Sequence, residues 1–126
     1  MKVSEVVSKT MKIEERDSFE IYTDGNEQIT LKKYSPVQNA NDFFKELINK
    51  YGKQQLVVAI EELSELQKEI CKSLRDKTNL SNLCEEIADV YIMLAQLKIF
   101  YDIADTEINK GIEQKIERTK ERYLKG

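Results

Sequence analysis

The sequence contains no histidine, and this absence narrows the chemistry that the protein can perform. It removes imidazole as a general base, and it excludes the Glu-x-x-His motif of di-iron helical bundles. Any metal site must therefore be built from oxygen ligands. Such ligands favour a hard cation, Mg²⁺ first and Mn²⁺ as the alternative.

Cysteines and long apolar runs are also scarce. The two cysteines, Cys71 and Cys84, lie in helical patterns and do not resemble a disulfide framework, so we expect reduced thiols and a cytoplasmic protein. No apolar run is long enough to predict a membrane span, and the N-terminus lacks the apolar centre of a signal peptide. The 20 basic and 23 acidic residues are mixed along the chain, which argues against nucleic acid as a partner.

The single proline, Pro36, marks the predicted boundary between an N-terminal extension, residues 1–36, and a helical domain, residues 37–126. Within the extension, Ser4 is a candidate cap for a short helix. Two short alternating runs then flank Asp24-Gly25-Asn26, and this pattern predicts a small β-hairpin.

After Pro36 the apolar spacing predicts four main helices joined by short connections. The predicted spans are about 41–51, 53–75, 80–101 and 105–124. The third helix is apolar on two faces, so we expect it to be central and the most buried. Short connections favour antiparallel neighbours, so the predicted fold is an all-α antiparallel helical bundle. Because a helix with two apolar faces needs packing partners on both of them, the third helix also favours a dimer or larger assembly.

Carboxylates cluster on one side of the second predicted helix. On a helical wheel Glu62, Glu65 and Glu69 fall within about 60° of one another. The third helix carries Glu86 and Asp89 three residues apart, and Asp89 is the only charged residue in a run that is nearly all apolar from residue 87 to residue 97. A lone carboxylate in such a run is costly unless it is compensated.

Two antiparallel helices with carboxylates at i and i+3 can direct four of them, Glu62, Glu65, Glu86 and Asp89, to one point. Like charges at that range raise one another's pKa, and a divalent cation is the simplest remedy. The alternatives are an acidic solvated surface on the second helix and an ion pair of Asp89 with a lysine or arginine.

These residues resemble a known signature. Glu62-Leu-Ser-Glu65 followed by Glu86-Ile-Ala-Asp89 is similar to the ExxE…ExxD pattern of the MazG-like superfamily of all-α nucleoside triphosphate pyrophosphohydrolases. The intervening stretch, residues 66–85, has a length that the family uses.

The resemblance continues near the C-terminus and covers about residues 40–123. Lys115, Thr119, Arg122 and Tyr123 match the family pattern K-x-x-x-N-x-x-R-[YF], except that Thr119 replaces the asparagine. Threonine retains a hydroxyl that can bond a phosphate or a metal-bound water.

The resemblance implies Mg²⁺-dependent hydrolysis of a nucleoside triphosphate to its monophosphate and pyrophosphate, in a homodimer or homotetramer. It implies metal binding by Glu62, Glu65, Glu86 and Asp89. Lys115, Thr119 and Arg122 are then the candidates for phosphate binding, and Glu61 and Glu69 for orienting or deprotonating the water.

Several alternatives stay open at the level of sequence. Gln55 is a candidate for contacting the base, or simply a polar helix residue. Lys115 and Arg122 also fit a solvated helix face. The substrate is a deoxynucleoside triphosphate, a modified nucleotide or phosphoribosyl-ATP. The alternative of a different class is a non-catalytic helical module that binds a basic partner through its carboxylates.

Overall fold

The computed structural model describes residues 19–23 and 29–126, and the chain divides into two compact units, Met1–Pro36 and Val37–Gly126. The division falls at the only proline. The architecture is all-α, with one small hairpin in the first unit.

In the first unit, strands β1 (Phe19–Thr23) and β2 (Ile29–Lys33) pair antiparallel, with Phe19 opposite Lys33. The two strands of the predicted hairpin are therefore confirmed. The predicted turn at Asp24-Gly25-Asn26 and the helix expected near Ser4 lie outside the described residues.

The second unit is built from one short and four long helices. They are α1 (Pro36–Asn39), α2 (Asn41–Tyr51), α3 (Gln54–Ser73), α4 (Leu80–Phe100) and α5 (Asp105–Lys125). The long helices are the four predicted from the apolar spacing. Helix α1 was not predicted, although proline is well suited to the first position of a helix because its missing N–H is not needed there.

Local signals fix the end of α2 and the start of α4. Gly52 ends α2 with a φ of 55°, and its N–H donates to the carbonyl of Ile48. This left-handed conformation suits glycine, which has no Cβ. Asn79 caps α4, since its Oδ1 accepts a hydrogen bond of 3.1 Å from the backbone N–H of Asn82.

Helix α4 is central, as predicted, because it packs against α3 along much of its length and also against α2. The apolar core is small: its buried side chains are Phe44, Ala59, Met93 and Ala95. Among the described helices, none is long and apolar enough to span a membrane.

Helix α5 departs from the predicted bundle because it adds almost no packing to α2, α3 or α4. None of its residues is buried, and Ile108, Ile112 and Ile116 stay between 38% and 49% exposed. Lys98 of α4 and Asp105 of α5 form an ion pair of 2.6 Å. Three isoleucines on an otherwise polar helix bury too little apolar surface to hold it against its own chain.

The cap of α4 gives a direct test of this local structure. Replacing Asn79 with alanine leaves the N–H of Asn82 without its acceptor, so we expect the free energy of unfolding to fall by about 1 kcal/mol. Urea denaturation measures the change. Ser81→Ala, in the same exposed turn, is the control; an equal loss in both variants would contradict the capping role.

Candidate metal centre

The antiparallel register of α3 and α4 is fixed near one end of the pair by two glutamines. Gln55 Nε2 donates a hydrogen bond of 2.7 Å to Gln96 Oε1. Seven residues after Gln55 the chain reaches Glu62, and seven residues before Gln96 it reaches Asp89. Because both helices rise equally per residue, Glu62 and Asp89 come to the same level, about two turns from the glutamines.

Three carboxylates meet at that level. One oxygen from each of Glu62, Glu86 and Asp89 lies within 4.8 Å of the other two, and all three residues are half-buried. A divalent cation bound about 2.0–2.5 Å from each oxygen spans separations of this size. The group can therefore offer three oxygen ligands to one ion after small side-chain adjustments.

The surroundings disfavour the ionised form of two members of the group, Glu62 and Glu86. Burial is the main cause that raises the pKa of Glu62 above its ordinary value of 4.5, followed by the charges of Asp89 and Glu86. A hydrogen bond between the carboxyl groups of Glu62 and Asp89 raises it further. Burial and the neighbouring charges therefore both disfavour the ionised form of Glu62.

Glu86 supplies a second, independent observation. Its Oε2 is buried and has no hydrogen-bond partner among the residues that the structure describes. The pKa of Glu86 is also raised, first by burial and then by the charges of Asp89 and Glu65. A buried carboxylate oxygen without a partner costs free energy, and a bound cation would remove that cost.

Glu65, the fourth predicted ligand, is not a member of this group. It is exposed, but its charge reaches both Glu62 and Glu86, since it contributes to the raised pKa of each. Three of the four predicted ligands are therefore brought together, and Glu65 lies close to them at the solvent side.

The two glutamates predicted to act on the water have different surroundings. Glu61 is exposed. Glu69 is only 7% exposed, and its carboxylate is 3.0 Å from the ammonium nitrogen of Lys72. The charge of Glu69 also contributes to the raised pKa of Glu86, so Glu69 lies near the group. Sequence reasoning missed Lys72, although its spacing of three from Glu69 was visible.

Gln55 was predicted as a base contact, and the structure gives its side chain an internal partner. Gln96, the acceptor, is buried at 4% exposure and was also missed from the sequence. The available signal was a polar side chain inside the apolar run of α4, the same signal that drew attention to Asp89.

The predicted phosphate ligands Lys115, Thr119 and Arg122 are all exposed on α5. Thr119 Oγ1 donates a hydrogen bond of 2.9 Å to the backbone carbonyl of Lys115. Since α5 hardly packs on α3 or α4, the structure of the single chain does not assemble these residues with the carboxylates. A spacing pattern fixes the face of a helix but not where that helix packs.

Divalent cation should stabilise the folded chain, because the three carboxylates are brought together only there. We expect saturating Mg²⁺ at pH 7 to raise the melting temperature of the native protein, with about 2.7 kcal/mol of stabilisation at a hundred times the dissociation constant. Asp89→Asn should abolish the shift in melting temperature, whereas Glu46→Gln, at an exposed position of α2, should retain it. Equal shifts in both variants would place any bound ion elsewhere.

The raised pKa of Glu62 gives a pH dependence with a definite sign. Because the pKa of Glu62 is raised in the folded protein, protonation of this group favours the folded state below pH 4.5, and that contribution to stability is lost as pH rises through the folded pKa. Urea denaturation in chelator should therefore show a shallower decline of stability with rising pH for Glu62→Gln than for the native chain. A slope unaltered by the substitution would argue against the raised pKa.

Comparisons of the chain with models of protein families, with curated proteins and with solved structures found no match. The arrangement of the carboxylates and the motif resemblance are therefore the grounds on which a function is proposed.

Proposed function

We propose that the protein is a Mg²⁺-dependent nucleoside triphosphate pyrophosphohydrolase, with Mn²⁺ as an alternative ion. The proposed substrate is a deoxynucleoside or modified nucleoside triphosphate, and the products are the monophosphate and pyrophosphate. The observation that carries the proposal is the meeting of Glu62, Glu86 and Asp89, with the buried, unpartnered Oε2 of Glu86. The resemblance to the MazG-like superfamily supports this choice of reaction.

The donor set fits a hard cation, because all three groups are carboxylates and the chain has no histidine. A bound cation would supply charge neutralisation of the triphosphate and a lowered pKa for a bound water. Glu62, Glu86 and Asp89 would hold it from the protein side and leave positions open for phosphate oxygens.

In the proposed reaction the oxygen of water forms a bond to the α-phosphorus, and the bond from that phosphorus to the bridging α–β oxygen breaks. Pyrophosphate leaves with the electron pair of the broken bond. Glu69 is the better placed of the two candidate bases, since it lies near Glu86 whereas Glu61 is exposed. Lys72 donates a hydrogen bond of 3.0 Å to Glu69 Oε1 and so holds this carboxylate in place.

Assembly belongs to the same proposal. We propose a homodimer or homotetramer in which Lys115, Thr119 and Arg122 bind the phosphates of a neighbouring copy's substrate. The support is that α5 leaves these side chains exposed and away from the carboxylates of its own chain. We also propose a cytoplasmic location, because the exposed free thiols of Cys71 and Cys84 suit a reducing compartment.

Removing a metal ligand should abolish the activity without unfolding the protein. With Mg²⁺ and a panel of ribo- and deoxynucleoside triphosphates, we expect Glu62→Gln and Asp89→Asn to lower kcat/KM by more than about a hundredfold. Glu46→Gln should keep the native rate. Identification of the products as monophosphate and pyrophosphate distinguishes the reaction from removal of the terminal phosphate. No hydrolysis of any triphosphate with Mg²⁺ or Mn²⁺ would reject the proposal.

The choice between the two candidate bases is tested by a pair of matched substitutions. Glu69→Gln should lower kcat about a hundredfold or more with little change in KM, because the water loses its proton acceptor. Glu61→Gln should leave kcat close to native. The opposite ranking of the two variants would assign the role to Glu61.

A further inference from the structure

One side of α4 has an apolar seam that no described helix covers. We define the outer face of α4 by positions spaced alternately four and three residues apart. They are Leu80, Cys84, Ile87, Tyr91, Leu94, Lys98 and Tyr101. On a helical wheel this face lies about 180° from the side that carries Asp89 and Gln96 toward α3. Alternating four and three is the spacing with which one helix packs lengthwise on another.

The exposure of this face is large for apolar side chains. Its leucines, isoleucine and tyrosines remain between 41% and 74% exposed, with Ile87 and Leu80 at the two ends of that range. Covering them removes roughly 600 Å² of surface from water per copy, or roughly 1,200 Å² across a symmetric pair, within the size range of specific interfaces.

The charges of the outer face favour a second copy of the same chain as its partner. A twofold contact places one patch against a second copy of itself, so a patch with net charge would face a patch of the same sign. Lys98 is the only charged member of the set, and its ammonium is already paired with Asp105 at 2.6 Å. The remaining six positions are uncharged along the 21 residues of the helix, about 30 Å, and at Tyr101 directly after its end.

We propose that the outer face of α4 is the contact between two copies of this chain, with the two α4 helices packed antiparallel about a twofold axis near Tyr91. This contact rests on the assembly proposed above, and oligomeric state tests it without reference to the metal site or to the reaction.

Matched charge insertions on the full-length protein test the contact. Tyr91 and Ile60 are equally exposed, at 64% and 63%, but Ile60 lies on α3. Tyr91→Glu buries two opposed carboxylates at the axis, so we expect the dimer dissociation constant from sedimentation equilibrium to rise roughly a hundredfold. Ile60→Glu should leave it unchanged, and Tyr91→Leu should keep the dimer. Circular dichroism checks that each variant retains native helix content.

Cross-linking provides a readout that does not rely on destabilising the protein. In a chain with Cys71→Ser and Cys84→Ser, Tyr91→Cys should give covalent dimers with a short bis-maleimide, whereas Ile60→Cys should not. A native chain that is monomeric at all concentrations would overturn the proposal. Equal dissociation by Tyr91→Glu and Ile60→Glu, or cross-linking at position 60 alone, would overturn it as well.

Discussion

Repulsion among Glu62, Glu86 and Asp89 opposes the packing of α3 against α4. Packing α3 against α4 forces one oxygen from each carboxylate within 4.8 Å of the others, in a half-buried position where water screens them poorly. Burial, and after it the neighbouring charges, raise the pKa of Glu62 and of Glu86 above the ordinary value.

Much of this arrangement was predictable because it is local. Apolar spacing gave the four long helices, and carboxylates at i and i+3 on two antiparallel helices predicted that Glu62, Glu86 and Asp89 would meet. A helical wheel does not give the relative rotation of two packed helices. For that reason it could not distinguish Glu65, which is exposed, from the three carboxylates that meet. It also could not show that Glu69 is buried against Lys72.

The three sides of helix α4 have different surroundings. One side supplies Glu86 and Asp89, another packs on α2, and the outer face has no cover within the described residues. Helix α5 was the least predictable element, because a stripe of three isoleucines predicts a helix face without saying which chain it packs on. Its placement away from the carboxylates is the main difference between the expected bundle and the observed one.

Anomalous diffraction can locate the proposed ion. Crystals grown or soaked with Mn²⁺ give an anomalous difference peak wherever the ion binds. We expect a peak about 2.0–2.3 Å from oxygens of Glu62, Glu86 and Asp89, and no peak there in Asp89→Asn crystals. A fully loaded crystal without a peak among these carboxylates, or with the ion held by other residues, would contradict the proposed metal site.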